Sequence, residues 1–383
     1  MTTTSPSPGP GRPCLVGLSF ESLARRLEPW IDRPFRARQV YDAVYRRAVA
    51  EFEEMTDLPA ELRQRLAREL RVGHPEIVNR AASEDGTVKY LLACPDGPDG
   101  SSGTTIEAVD IPDGDRHTFC ISSQSGCGLA CRFCVTGYWG PGRSLTAGEI
   151  LGQVLAIRRD RDLPPAGFNV VFMGMGEPLQ NLDAVEAAVG ILTETVSPRR
   201  ITVSTAGLVP GIDAMARWER RPNLAVSLHA PDDGRRSALM PINRSYPLDE
   251  LLAALARFPL ERGRKITIEY LLVRDFNDAE ADADALARRL RGLQVKVNLI
   301  PVNPDPVLGP EMVPPPEERV EGFQRRLEER GLVATVRRRR GDDVSAACGQ
   351  LRAFGREPRG FPAGAFAASP SGRRGHDGAV RQA

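Results

Sequence analysis

Three cysteines fall within eight residues in Cys127-Gly-Leu-Ala-Cys131-Arg-Phe-Cys134. Soft thiolate ligands suit zinc or an iron–sulfur cluster, and a loop that brings three of them together must wrap around something. Structural zinc takes four protein ligands, and only Cys120 or a remote His stands ready to complete such a set. Three cysteines on a four-iron cluster leave one iron open to a small molecule, an arrangement for catalysis rather than for electron relay. The C-x3-C-x2-C spacing, with Phe133 before the last cysteine, favours the cluster; a zinc loop remains the alternative.

Other residues have types suited to the same chemistry. In Val171-Phe-Met-Gly-Met-Gly-Glu-Pro-Leu the glycines let backbone approach a ligand closely, and Glu177 offers a carboxylate to a ligand ammonium; alone, the motif is also a tight β–α turn. Cys348 lies in Arg340-Gly-Asp-Asp-Val-Ser-Ala-Ala-Cys-Gly-Gln-Leu. By itself it reads as a small buried apolar residue, but its Ala and Gly neighbours leave room around it. The arginines at 337–340 would favour its thiolate. Cys120, seven residues before the cluster motif, would make a redox couple with a distant cysteine brought beside it. Taken singly, Glu107 reads as an exposed strand carboxylate and His229 as a packed core histidine. The four arginines are either a solvated strand end or a phosphate clamp, whose affinity would fall with salt.

From about residue 117, short apolar β-branched runs alternate with helical patterns. Stretches 119–122, 169–173, 201–204, 224–228, 266–273, 295–300 and 332–336 read as strands; 147–158, 182–195, 248–257, 279–291 and 316–330 read as helices. Repeated β–α units imply an α/β fold, a parallel sheet covered by helices and open or closed into a barrel. In such sheets functional groups gather at the carboxyl ends of the strands. Upstream, 18–72 reads as helical, with Leu and Val at three-to-four spacing and Pro29, Pro34 and Pro59 as breaks. Residues 77–109 read as β-rich, with a turn at Asp85-Gly86 and a Gly/Pro/Ser loop at 95–103.

The chain has 383 residues, enough for one large core with appendages or for two domains. Its net charge of +1 announces no nucleic-acid partner, so RNA affinity would have to come from local clusters or from shape. No apolar run reaches the ~20 residues needed to span a membrane. The Thr/Ser/Pro/Gly-rich start does not read as a secretory signal. Seven cysteines, an odd number, speak against an extracellular disulfide framework. A cytoplasmic protein is expected.

The segment Thr118-Phe-Cys-Ile-Ser-Ser-Gln-Ser-Gly-Cys-Gly-Leu-Ala-Cys-Arg-Phe-Cys resembles the radical S-adenosylmethionine (SAM) superfamily. More narrowly it resembles the adenine-methylating RNA methyltransferases: the dual-specificity 23S rRNA/tRNA adenine-C2 enzymes and their C8-methylating relatives. The likeness runs from near Phe35 to about Leu351. It implies a partial TIM-like (β/α) barrel of the radical SAM type with a small N-terminal helical domain. The chain then divides into a disordered arm at 1–17, a helical accessory domain at 18–75 to which RNA binding is open, a β-rich extension at 76–116, the barrel at 117–354 and a flexible tail at 355–383.

The resemblance also implies roles. Cys127, Cys131 and Cys134 would hold a [4Fe–4S] cluster; Gly176, Glu177, Ser204, Ser227, Leu228, His229 and Asn303 would contact SAM, all at or just beyond expected strand ends. Cys348 looks like the methyl-carrying cysteine, Cys120 like its resolving partner and Glu107 like the proton acceptor. Adenine C2–H is neither nucleophilic nor acidic, so direct displacement from SAM cannot methylate it. One SAM would methylate Cys348. A second, cleaved to a 5′-deoxyadenosyl radical, would activate that methyl group for addition to the ring, and Cys120 would release the product by forming a disulfide. Expected partners are 23S rRNA, tRNA and an external electron donor such as flavodoxin or ferredoxin, with no membrane and a monomeric chain. Two alternatives stand beside this reading: methylation at C8, and a zinc-stapled RNA-binding protein without enzymatic activity. The segment 135–142 departs from the family pattern in being bulkier and more aromatic.

Overall fold

The computed structural model describes residues 12–94 and 103–352. The expected tail at 355–383, most of the Gly/Pro/Ser loop and the first eleven residues of the expected arm lie outside the described residues. The part of that arm which is described, 12–17, is not free. Leu15 and Val16 are buried, and their N–H groups donate to the carbonyls of Arg71 and Val72 at 3.0 Å each. Two consecutive apolar side chains pin this stretch against the helical region.

That region holds α1 (Phe20–Leu27), α2 (Phe35–Tyr45) and α3 (Ala60–Glu69). Ser19 caps α1 by accepting from Ser22 N–H, and Leu23 and Leu27, four apart, turn one face inward. The strands β1 (Glu76–Ala82), β2 (Val88–Cys94) and β3 (Thr104–Asp113) follow. In β2 the alternate residues Val88, Tyr90, Leu92 and Cys94 are buried, the period of a strand with one face on a core.

The remaining elements are β4 (Arg116–Cys120), α4 (Val135–Tyr138), α5 (Ala147–Asp160), β5 (Asn169–Phe172), α6 (Leu182–Leu192), β6 (Ile201–Thr205), α7 (Val209–Met215), β7 (Asn223–Ser227), α8 (Asp233–Leu239), α9 (Leu248–Arg257), β8 (Ile266–Leu272), α10 (Glu280–Arg289), β9 (Val295–Pro301), α11 (Glu317–Glu329) and β10 (Ala334–Val336). The ten strands form one sheet in sequence order. Strands β1 to β4 pair antiparallel and β4 to β10 parallel. The parallel part is the expected α/β partial barrel. The three β-rich strands extend this sheet: β3 pairs with β4 from Val109↔Cys120 to Asp113↔Arg116, so sheet hydrogen bonding runs unbroken through residue 116.

Strand positions match the sequence reading to within three residues. The short helices α4, α7 and α8 do not appear in that reading, because seven residues or fewer are too short to establish a 3.6-residue period. The helix α5 begins with a reciprocal cap in which Thr146 Oγ accepts from Glu149 N–H and Glu149 Oε2 accepts from Thr146 N–H.

One buried side chain joins the helical region to the barrel. Arg158, near the end of α5, donates to the carbonyls of Tyr45 and Arg46 at 2.8 and 2.7 Å, the unsatisfied end of α2, and to Pro164 O at 3.2 Å. Burial lowers its pKa to about 10, which leaves it charged at neutral pH. Replacing it (Arg158→Ala) strands those carbonyls, and an urea-unfolding series should show a loss of about 2–4 kcal/mol, since each buried group left unpaired costs about 1–3 kcal/mol.

Candidate active site

The loop after β4 carries the three motif cysteines. Its path is fixed by backbone contacts: Cys127 N–H donates to Gly140 O and Cys134 N–H to Cys131 O, while Ala130 takes a left-handed φ of 53°. All three thiols line one cavity of about 130 Å³. Gly176, Glu177, Ser204, Ser227 and His229, brought in by the ends of β5, β6 and β7, share its wall with Cys348. Among the described residues no three His, Cys, Asp or Glu side chains converge on a single-ion position. Cys120, the candidate fourth zinc ligand, is not on this wall.

Burial dominates the electrostatics. It pushes the Cys127 thiol up to about 12, with Cys134 nearby adding to the rise, and it raises Cys131 and Cys134 in the same direction. A fully buried cation, Arg236, works against the rise at Cys131. The Arg236 guanidinium donates to the carbonyls of Ala206 (2.8 Å), Ser227 (3.1 Å) and Leu228 (3.2 Å), so it also fastens the ends of β6 and β7.

Gly176 has φ +95°, and a Cβ there would lie 2.5 Å from Gln124 Cβ; only glycine tolerates that close approach. Glu177 is buried, its two oxygens accepting from Leu179 N–H (3.1 Å) and Ala206 N–H (2.8 Å). The Thr205 side chain also hydrogen-bonds this carboxylate, which still has acceptor capacity left for a ligand donor. Burial raises this carboxyl above its ordinary value. His229 sits at φ 60°, a strained conformation for a non-glycine residue. Its Nδ1 accepts from Leu271 N–H at 3.0 Å, which puts the ring proton on Nε2, and burial holds its pKa down at about 3. Leu228 lies behind the wall and takes part through its backbone, donating to Glu269 O.

Cys348 lies on a segment, 341–352, that crosses from the end of β10 to the β2–β3 hairpin. Val135 N–H donates to Gly349 O at 2.6 Å, Thr136 Oγ1 to Leu351 O at 2.7 Å and Asn303 Nδ2 to Cys348 O at 3.0 Å. Cys348 and Ile300 are also on the wall of a second cavity of about 430 Å³, lined by Arg337, Arg338, Arg339, Arg340 and Asn303. Asn303 Oδ1 is buried with no hydrogen-bond partner among the described residues. Cys120 and Cys348 are free thiols within electrostatic reach of one another. Burial raises Cys120 to about 12 and also raises Cys348, which Arg337 only partly counters. Arg337 favours the thiolate, as the sequence suggests, but desolvation outweighs it.

Glu107 is a correction to the sequence reading. It is 1% exposed rather than an exposed strand carboxylate. Its Oε1 pairs with Lys89 Nζ at 3.1 Å and its Oε2 accepts from Arg352 N–H at 2.8 Å. The sequence reading passed over Lys89, Arg236 and Glu269. A signal existed for Glu269, a lone carboxylate in the apolar run Ile-Thr-Ile-Glu-Tyr-Leu-Leu of β8; it is buried, lines the cysteine cavity and accepts from Asn298 Nδ2 at 2.7 Å. Nothing local marked Arg236.

A partial (β/α) barrel with three cysteines after its first parallel strand and a Gly-Glu turn after its second defines the radical SAM class. Residues 121–287 match the family model described as Radical SAM superfamily, and 14–72 match the Ribosomal RNA large subunit methyltransferase N-terminal domain. The chain is 43% identical to the dual-specificity RNA methyltransferase RlmN of Anaeromyxobacter dehalogenans over 94% of this chain and 97% of that one. It is 47% identical to the RlmN of Rhodospirillum rubrum, covering 88% and 80%. A crystal structure of a radical SAM methyltransferase from Sphaerobacter thermophilus superimposes with a TM-score of 0.81 at 45% identity, covering 88% of this chain and 99% of that one. The chain belongs to the RlmN family of dual-specificity RNA methyltransferases. It is accordingly a radical SAM enzyme, and its cofactors are a [4Fe–4S] cluster and SAM.

The residues present fit those cofactors: three thiols around a shared void, a cradle at Gly176 that a Cβ would fill, a buried carboxylate at Glu177 and the orphaned Asn303 oxygen. Because the ligands must give up their protons to bind iron, and burial has raised their pKa values, acid competes with loading. Anaerobic reconstitution followed by iron and sulfide analysis should show cluster content falling as pH is lowered. Gly176→Ala should weaken SAM binding at least about tenfold in equilibrium dialysis, a change of about 1.4 kcal/mol, with iron content retained.

Proposed function

We propose that this chain methylates C2 of adenosine in 23S rRNA and in tRNA through a methylated Cys348, consuming two SAM per turnover. The observation that carries this reading is the position of Cys348 on the walls of two cavities at once, one bearing the three motif cysteines and the other bearing four arginines. A group carried on its sulfur has one cavity to be loaded and activated from and another to be delivered into.

Cys127, Cys131 and Cys134 would hold the cluster; Glu177 would take the ammonium of SAM, and Ser204, Ser227, His229 and Asn303 would orient the rest of it. Bound there, the cluster and SAM would supply the radical chemistry that an unreactive C–H bond demands. The protein's own part is positional. Cys348 receives a methyl group and presents it to the ring, Glu107 accepts the proton that leaves the ring carbon, and Cys120 attacks the Cys348 sulfur, forming a disulfide as the sulfur–carbon bond breaks and the departing carbon keeps the electron pair and takes up a proton. Both sulfurs start as buried neutral thiols, so each must shed a proton before it acts as a nucleophile.

The arginines at 337–340 take the phosphates that flank the target base, which is extruded or already unpaired in a loop. The helical region, whose residues 14–72 match the methyltransferase N-terminal domain, would offer a further RNA-binding surface. The chain acts as a monomer in a reducing cytoplasm, where a flavodoxin or ferredoxin supplies electrons. No helix among the described residues is long and apolar enough to cross a membrane.

Two outcomes test this reading. Cys120→Ala should accumulate as a covalent adduct with RNA through Cys348, seen as a slow band on denaturing gels; SAM cleavage without any adduct would overturn the roles of both cysteines. Nuclease digests of the wild-type product should contain 2-methyladenosine and no 8-methyladenosine by mass spectrometry.

A further inference from the structure

The roles above leave the lysine that pairs with buried Glu107 without a function. Lys89 on β2 and Glu107 on β3 are diagonal neighbours on one face of the hairpin, Lys89 opposite Val109 and Leu91 opposite Glu107. Their side chains meet at 3.1 Å, with the Lys89 side chain 14% exposed and that of Glu107 1%. Taking two charges out of water costs several kcal/mol per ion, and a Lys–Glu pair at this position of an antiparallel hairpin is not needed to form the sheet. The pair also makes two contacts with the Cys348 segment. Lys89 Nζ donates to Ser345 O at 3.3 Å, three residues before Cys348, and Arg352 N–H, four residues after it, donates to Glu107 Oε2. The pair therefore holds both flanks of the loop that carries the reactive sulfur.

We propose that Lys89 is a positioning residue: it keeps Glu107 in the ionised form that can accept a proton, and with Glu107 it clasps the Cys348 loop over the barrel. This rests on the assignment of Glu107 as the proton acceptor. The step concerned is a simple transfer. A proton leaves the ring carbon for a Glu107 oxygen, and the electron pair of that C–H bond stays on the ring. Glu107 can do this only as a carboxylate with a free lone pair. Burial alone raises its carboxyl above the ordinary range, and the groups facing it that oppose the rise are Lys89 from β2 and the Arg352 amide and guanidinium from the Cys348 segment. Of these, the Arg352 amide holds Oε2 and Lys89 holds Oε1, so the two contacts can be tested separately. Ser122 Oγ donates to the Glu107 backbone carbonyl at 2.6 Å, so the strand beneath is held independently of the side chain.

The sign of the effect follows. A base works only above its pKa, so turnover declines as pH falls through the Glu107 value. Removing the cation raises that value further and moves the decline to higher pH. Lys89→Met should shift the acid limb of single-turnover methyladenosine formation upward by about 1 to 3 pH units, the range for an opposite charge beside a carboxylate, with the rate recovering in alkali. Lys89→Arg should restore the wild-type profile. An acid limb unmoved in Lys89→Met, with Glu107→Gln inactive, would overturn the role of Lys89 and leave Glu107 as base. Full activity of Glu107→Gln at every pH would overturn both. An infrared titration of the metal-free full chain supplies a reading that needs neither RNA nor cofactor. The protonated-carboxyl band absent from Glu107→Gln should titrate at higher pH in Lys89→Met than in wild type, and equal midpoints would refute the proposal even where the variant is inactive. In hydrogen exchange, amides at 345–352 should exchange faster in Lys89→Met, and unchanged protection there would remove the clasp.

Discussion

The parallel sheet does not close on itself, and the way its open side is covered governs everything else about this molecule. Its parallel run ends at β10, which pairs with β9 alone among the described residues, and a gap left open beside it would expose buried thiols and carboxylates to water. The segment 341–352 spans the gap. Very little of it is regular structure, so its backbone groups need partners elsewhere. They find them in the cluster loop through Val135 and Thr136, in the loop after β9 through Asn303, and in the hairpin through Lys89 and Glu107. Cys348 is held where these three attachments meet. A covering strap made of backbone hydrogen bonds to three different elements can be firm at rest and still be lifted without unfolding the barrel.

Desolvation is the second theme. Glu107, Glu177, Arg236 and Glu269 are all buried, and none of them pairs with another of the four. Buried charge is tolerated only when its hydrogen-bonding capacity is met. Arg236 meets it with backbone carbonyls, Glu177 with backbone N–H groups, and Glu269 with Asn298. The site thereby keeps a set of fixed dipoles and charges in a water-poor space, where they act more strongly than they would in solvent. The same desolvation keeps the free cysteines neutral. A thiol that stays protonated until its partner arrives is protected from adventitious oxidation, since the thiolate is the reactive form.

The appended parts are built into this frame rather than tethered to it. The β2–β3 hairpin extends the barrel sheet and supplies Glu107; the helical region is fastened by Arg158 at the end of α2 and by the buried Leu15 and Val16. An RNA-facing surface on those helices would therefore keep a fixed relation to the cavity that Cys348 faces.

The sequence by itself determined the chemistry and the order of the elements. Three cysteines at C-x3-C-x2-C, a Gly-Glu turn and a run of β–α units are local patterns. Their meaning rests on spacing along the chain and on strand and helix periods, so the loop after β4, the α/β class and most element limits were legible there. What tertiary structure alone decided is proximity and burial. Glu107 looked like a surface carboxylate because its strand shows no sign of a lysine two positions out of register, or of a C-terminal strap that covers it. Cys348 looked activated by arginines because the sequence shows the charges and not the low-dielectric surroundings that outweigh them. Arg236 carried no signal, since its partners are backbone carbonyls that every residue possesses. Periodicity reports which side of an element faces inward; which distant groups meet there, and whether water reaches them, depends on contacts between residues more than two hundred positions apart, and only the folded chain brings those together.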